Sequence, residues 1–177
     1  MNASWSDYLP VLRDLDALSH RPILIGRIAM VCLGSEQLTQ DMDLVTPDFP
    51  AVIDTLYRND FRVIRGKSTG ADGTVAYQVY DTGTQARYAI GLHDKKSLRS
   101  IHSESGAELD IWLEPRVPYA ELLADSREVD LGGILLRVPS ARNMIRLKEL
   151  ALLDDPSREP KDRWDINFLQ EFLRKLP

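Results

Sequence analysis

Apolar and polar positions along the chain alternate between two periods. Leu9, Leu12, Leu15 and Leu18 fall three apart with charged residues between them, which predicts an amphipathic helix over 5–18. Arg21-Pro22 ends it. Pro22-Ile23-Leu24-Ile25-Gly26 is a short apolar run closed by glycine and reads as a buried strand, and Ile28–Leu33 reads as a buried helix lying on it. Gly34-Ser35 breaks that helix. Met42, Leu44 and Val45 form a second strand stopped by Pro47. Phe49, Val52, Ile53 and Leu56 line one face of a helix over 49–59, and Phe61–Ile64 is a third strand.

The middle of the chain is less regular. By composition 66–73 (GKSTGADG) is a flexible loop. Val75, Tyr77 and Val79 alternate with polar or small residues, Thr82-Gly83-Thr84 supplies a turn, and 74–92 therefore reads as a hairpin. The stretch 93–105, with His93, His102 and Lys95-Lys96, reads as a surface loop. Leu109–Leu113 is a strand, 118–123 a short helix, and 129–138 a hairpin about Gly132-Gly133. Ser140 opens a helix over 141–153, Asp155-Pro156-Ser157 breaks it, and Trp164, Phe168 and Phe172 mark a last helix over 161–175. The order is mixed α and β, with a helical end packed onto a sheet.

Composition narrows the class. The chain has 177 residues, 44% hydrophobic and 28% charged, which is ordinary for a soluble globular protein. Cys32 is the single cysteine. It lies among apolar neighbours and reads as core, so an intramolecular disulfide and a multi-cysteine zinc site are excluded. No apolar run reaches the ~18 residues of a membrane span, and no basic-then-apolar leader opens the chain. A cytoplasmic protein is the expectation. The formal net charge is −5, but its distribution is uneven: residues 137–177 carry nine Lys/Arg and seven Asp/Glu. An acidic body with a mildly basic tail disfavours binding of extended nucleic acid.

The chemistry concentrates in carboxylates. Asp41 and Asp43 are two apart, so on a strand they share a face while Met42 and Leu44 point to the core. Two such charges repel, and a hard divalent cation with oxygen ligands relieves the repulsion. Asp110 repeats the pattern between apolar Leu109 and Ile111. Three carboxylates on adjacent strands can hold two metal ions about 3.5–4 Å apart, the geometry that clamps a phosphoryl displacement. A wet strand face yields the same pattern without chemistry. Gly66-Lys67-Ser68-Thr69 lacks the upstream glycine of a phosphate loop.

The arrangement of Gly26, Ala29, Gly34, Thr39, Asp41 and Asp43 resembles the nucleotidyltransferase fold of the DNA polymerase β superfamily. It is most similar to the minimal bacterial members of toxin–antitoxin and abortive-infection systems. Asp110 in Leu-Asp-Ile-Trp-Leu matches the third carboxylate, and Ala141–Lys148 followed by Lys161-Asp162-Arg-Trp-Asp165 matches the helical tail. The resemblance implies a small, mixed, twisted sheet flanked by helices, with a core over 1–138 and a C-terminal helical subdomain over 139–177. It implies transfer of a nucleoside monophosphate from an NTP to a protein hydroxyl, a tRNA end or a small molecule. Asp41, Asp43 and Asp110 would hold two Mg²⁺ ions, with Asp110 taking the acceptor's proton. Gly26, Arg27, Thr39 and Lys148 would serve the nucleotide, and Lys161, Asp162 and Asp165 would support them. Arg27 and Gln37 stand where the family carries a small residue and an arginine. That leaves a second reading, a catalytically degenerate member that binds nucleotide or neutralises a cognate toxin or antitoxin partner.

Overall fold

In a computed structural model describing residues 4–36, 39, 41–93, 96–113 and 115–175, eight strands form one mixed sheet. The elements run α1 (Trp5–Asp16), β1 (Ile23–Ile25), α2 (Gly26–Val31), β2 (Asp41–Val45), α3 (Phe49–Arg58), β3 (Phe61–Thr69), β4 (Val75–Val79) and α4 (Gly83–Leu92). Then come β5 (Ser97–His102), β6 (Glu108–Trp112), α5 (Tyr119–Ala124), β7 (Ser126–Asp130), β8 (Leu135–Pro139), α6 (Ala141–Asp154) and α7 (Glu159–Lys175), with a 3₁₀ turn Pro156–Arg158 between the last two. The strand order is β4-β3-β5-β6-β2-β1-β8-β7. The β2–β6 and β1–β8 pairs are parallel, and the other neighbours are antiparallel.

The period-two pattern of the central strands decides which face is dry. Leu24, Met42, Leu44, Leu109 and Ile111 point to one side and are fully buried. There they meet Val11, Leu12 and Leu15 of α1, Val52, Ile53 and Leu56 of α3, and Ala86 and Ile90 of α4. Each such aliphatic side chain contributes about 1.5–3 kcal/mol of burial. On the opposite side, Ile23, Ile25 and Val45 form a smaller cluster with Val117 and Leu122, covered by Leu147 and Leu150 of α6. This second face is apolar at one end only. Its other end carries the carboxylates of β2 and β6.

Three sequence expectations change. The predicted hairpin over 74–92 is β4 followed by the helix α4. Thr82 caps that helix by accepting from the Gln85 N–H, and Ala86 and Ile90, one turn apart, seat it on the core. The hairpin partner of β4 is β3, which extends through Thr69 into the stretch expected to be a loop. The expected loop over 93–105 contains β5. Leu98 and Ser100 face the core there, and the Ser100 hydroxyl donates to the Leu109 carbonyl at 3.0 Å. Among the described residues no helix is long and apolar enough to cross a membrane.

Candidate active site

Strand register assembles the acidic face. Asp43 of β2 lies opposite Asp110 of β6, and Asp41 lies opposite Glu108. Residues opposite each other in a sheet share a face, so four carboxylates form a two-by-two array. Thr39 anchors its edge, accepting from the Asp41 N–H at 3.2 Å. Glu108 completes the array through the same two-residue spacing as Asp41 and Asp43, and it accepts from the Tyr77 hydroxyl. Glu-Leu-Asp is therefore a second acid-x-acid unit, and that spacing was the signal for it in the sequence.

Asp43 is the pivotal member. Gly26 turns the chain from β1 into α2 with φ +68°, and a Cβ built on it would stand 2.2 Å from Asp43 Oδ2. Glycine is needed there both for its left-handed backbone and for its missing side chain. Burial, then the charge of Asp110, push the Asp43 pKa up to about 6 against the pull of Lys148, with Asp41 adding to the rise. The carboxylate is thus held in an environment that resists its charge.

Asp110 has a different partner. Arg99, directly opposite it on β5, donates from Nε to Oδ1 at 2.8 Å and from Nη2 to Oδ2 at 2.7 Å. This is a bidentate fork. It keeps the Arg99 guanidinium firmly protonated, chiefly through the Asp110 hydrogen bonds. Arg99 falls in the segment expected to be a loop, and its role was not visible in the sequence.

A cavity of about 270 Å³ opens between this face and α6. Gly26, Asp43 and Trp112 line one side, and Met144, Leu147 and Lys148 line the other, with Arg158 at the turn before α7. Lys148 donates to Asp162 at 2.9 Å and to Asp165 at 2.6 Å. Arg158 Nε donates to the second oxygen of Asp162 at 2.8 Å. Both aspartate side chains are 0% exposed. Burial alone would raise the Asp162 pKa, but the Arg158 and Lys148 hydrogen bonds and charges reverse that and hold it below the ordinary value.

The remaining expected residues divide. Arg27, expected at the nucleotide phosphates, turns its Nε toward Asp165 Oδ1 at 3.6 Å. That is too long for a hydrogen bond, and both atoms are buried without a hydrogen-bond partner. Arg27 does not line the cavity. Lys161 is exposed on the first turn of α7 and also lies outside the cavity lining. Gln37 and Lys95 fall outside the described residues.

The donor chemistry suits a hard cation at Asp41 and Asp43, two carboxylates that repel each other beside Gly26. Asp110 does not fit a cation as it stands, because Arg99 engages both of its oxygens. Among the described residues no three His, Cys, Asp or Glu side chains are gathered closely enough to hold a metal ion.

Neither a family model nor a curated protein matches the chain. Solved structures do. An antigenic nucleotidyltransferase-like protein from Paracoccidioides brasiliensis is similar over 92% of this chain and 74% of its own, with 18% identity and a TM-score of 0.54. The antibiotic-resistance factor ANT(2'')-Ia is similar over 95% and 83%, with 12% identity and a TM-score of 0.57. A nucleotidyltransferase candidate from Thermotoga maritima is similar over 92% and 95%, with 15% identity and a TM-score of 0.52. The chain has the nucleotidyltransferase fold, a mixed sheet flanked by helices.

Proposed function

We propose that the protein transfers a nucleotidyl group from an NTP to an acceptor hydroxyl. The observation that carries this reading is Asp43, a carboxylate pressed against Gly26 at the cavity wall, beside a second carboxylate and facing Lys148. In the transfer, the acceptor oxygen bonds to the α-phosphorus and the bond to the pyrophosphate leaving group breaks. Asp41 and Asp43 would hold Mg²⁺, which when bound neutralises charge on the phosphate oxygens.

The chain's own groups supply the rest. Lys148 commits two of its three N–H donors to Asp162 and Asp165, leaving one for a phosphate oxygen. Arg158 commits its Nε to Asp162, and its terminal nitrogens add positive charge at the same wall. Trp112, Met144, Leu147 and Leu150 give the cavity an apolar wall that suits a nucleobase. Asp110, next to Asp43 in register, receives the acceptor's proton in this reading. The acceptor is a protein hydroxyl, a tRNA end or a small molecule, and the minimal toxin–antitoxin or phage-defence systems are the context that the resemblance suggests.

A second reading is a degenerate member that binds nucleotide without transferring it. It is favoured by the Arg99 fork on Asp110 and by the placement of Arg27 against Asp165, outside the cavity lining. Purified protein incubated with α-labelled NTPs, Mg²⁺ and a cell extract separates the two. Label transfer that disappears in Asp43→Ala supports the enzyme. An NTP-induced thermal shift without transfer supports the degenerate protein. Absence of both overturns both.

A further inference from the structure

The row of residues that crosses the sheet at Asp43 is unusual in its charges. Reading from β1 through β2 and β6 to β5, it is Ile25, Asp43, Asp110, Arg99. The next row is Asp41, Glu108, Ile101. Arg99 thus stands at the margin of a four-carboxylate array. It touches more than one member: besides its fork on Asp110, its Nη1 lies 3.9 Å from Glu108 Oε2.

An arginine fork satisfies a carboxylate in both geometry and charge. A divalent cation taking an oxygen of Asp110 would have to replace that fork or share it against the repulsion between two cations. Arg99 is well suited to be replaced. Its side chain is 50% exposed, whereas that of Asp110 is 19% exposed, and its long stem can swing to solvent without leaving a cavity. Asp43, by contrast, lies against Gly26 and takes its side-chain hydrogen bond from Trp112.

We infer that Arg99 is a built-in competitor for divalent cations at Asp110, holding the third carboxylate out of the cation site until it is displaced. The inference rests on the reading of Asp41 and Asp43 as cation ligands and adds a residue that sets how strongly the face binds a cation. The fork leaves Asp41 and Asp43 as the resting pair. Withdrawal of Arg99 exposes Asp110 as an additional ligand.

The test is Mn²⁺ binding, measured by calorimetry and by the loss of the free-ion electron paramagnetic resonance signal, on the whole chain. The variants are Arg99→Gln, Arg99→Lys and the double variant Arg99→Gln/Asp110→Asn. Circular dichroism and melting temperature verify that each is folded. Arg99→Gln is expected to bind Mn²⁺ at least tenfold more tightly than the wild type, or to bind an additional ion. Arg99→Lys, which keeps the charge but loses the fork, should fall between them, and adding Asp110→Asn should remove the gain. Wild type and Arg99→Gln binding Mn²⁺ equally, or a gain that survives Asp110→Asn, would overturn the role of Arg99 alone. Absence of Mn²⁺ binding in both wild type and Arg99→Gln would overturn the cation-site reading together with it.

Discussion

Two charged clusters face each other across the cavity, and they solve opposite problems. On the helical side, the buried Asp162 and Asp165 are surrounded by Lys148, Arg158 and Arg27. Cations outnumber acids, and hydrogen bonds close most of the circuit. On the sheet side, Asp41, Asp43, Glu108 and Asp110 share one face, and Arg99 is the cation in contact with it. The first cluster gives each buried carboxylate a cation and fastens α7 and its preceding turn to α6. The second is short of positive charge, and at Asp43 burial first and then the neighbouring Asp110 charge push the pKa up to about 6. A cluster whose carboxylates are already paired has nothing to gain from a further cation. An unbalanced one is stabilised by whatever cation or cation-bearing ligand arrives.

Breaking the balanced cluster should cost the most stability. Asp165→Ala leaves Arg27 without its carboxylate and Lys148 with Asp162 alone, and loss of one partner from a buried ion pair costs about 3–5 kcal/mol. Urea denaturation should show it as a large drop in midpoint. On the sheet side the sign reverses. Asp43→Asn should abolish label transfer, and above neutral pH it should raise stability by about 1–3 kcal/mol, because it removes a carboxylate whose charging the fold opposes. In a chain of this length that is a rise of several degrees in melting temperature.

The pH dependence of stability distinguishes the two clusters again. Asp43 has a raised pKa, so the native state holds a proton that the unfolded chain has already lost. Its contribution favours folding at low pH and is lost as pH rises from the ordinary value of 3.8 through about 6. Asp162 has a lowered pKa. Its contribution is present above the ordinary value and is lost as pH falls through the folded value. Melting temperatures of wild type, Asp43→Asn and Asp162→Asn from pH 3 to pH 8 should therefore show the wild-type slope between about pH 4 and pH 6 vanish in Asp43→Asn alone.

Gly26→Ala sharpens the comparison at smaller amplitude. It forces a side chain into a left-handed backbone and onto Asp43 Oδ2, so a loss of about 2 kcal/mol is expected, with transfer activity falling alongside. The smallest effect belongs to Arg116→Ala. Arg116 pairs with Asp154 at the cavity rim, and both side chains are more than half exposed. Such a pair is worth about 0–1 kcal/mol, so chemical denaturation should barely move.

The acidic pair was legible in the sequence because a strand places alternate residues on one face, and Asp41-Met42-Asp43-Leu44 displays that period without interference. Asp110 was legible for the same reason. Arg99 was not. The core face of β5 is built from Leu98 and Ser100, and a buried serine bonded to the Leu109 carbonyl breaks the apolar alternation that marks a strand. The helix α4 was hidden by the turn-like Thr82-Gly83-Thr84, where Thr82 is a helix cap. Arg158 sat in a segment that Pro156 marks as a break, and its bond to Asp162 depends on the 3₁₀ turn carrying the chain into α7. Arg27 was visible, but its partner Asp165 lies far along the chain and is reached only when the last helix folds back.

The imbalance of the acidic face is tested most directly by thermal melting of wild type and Asp43→Asn, each alone, with Mg²⁺, and with Mg²⁺ plus an NTP. The wild type should gain several degrees with Mg²⁺ and NTP together. Asp43→Asn should start from a higher melting temperature and gain little. Equal ligand-induced shifts in the two proteins, or a lower starting temperature in folded Asp43→Asn, would contradict the account.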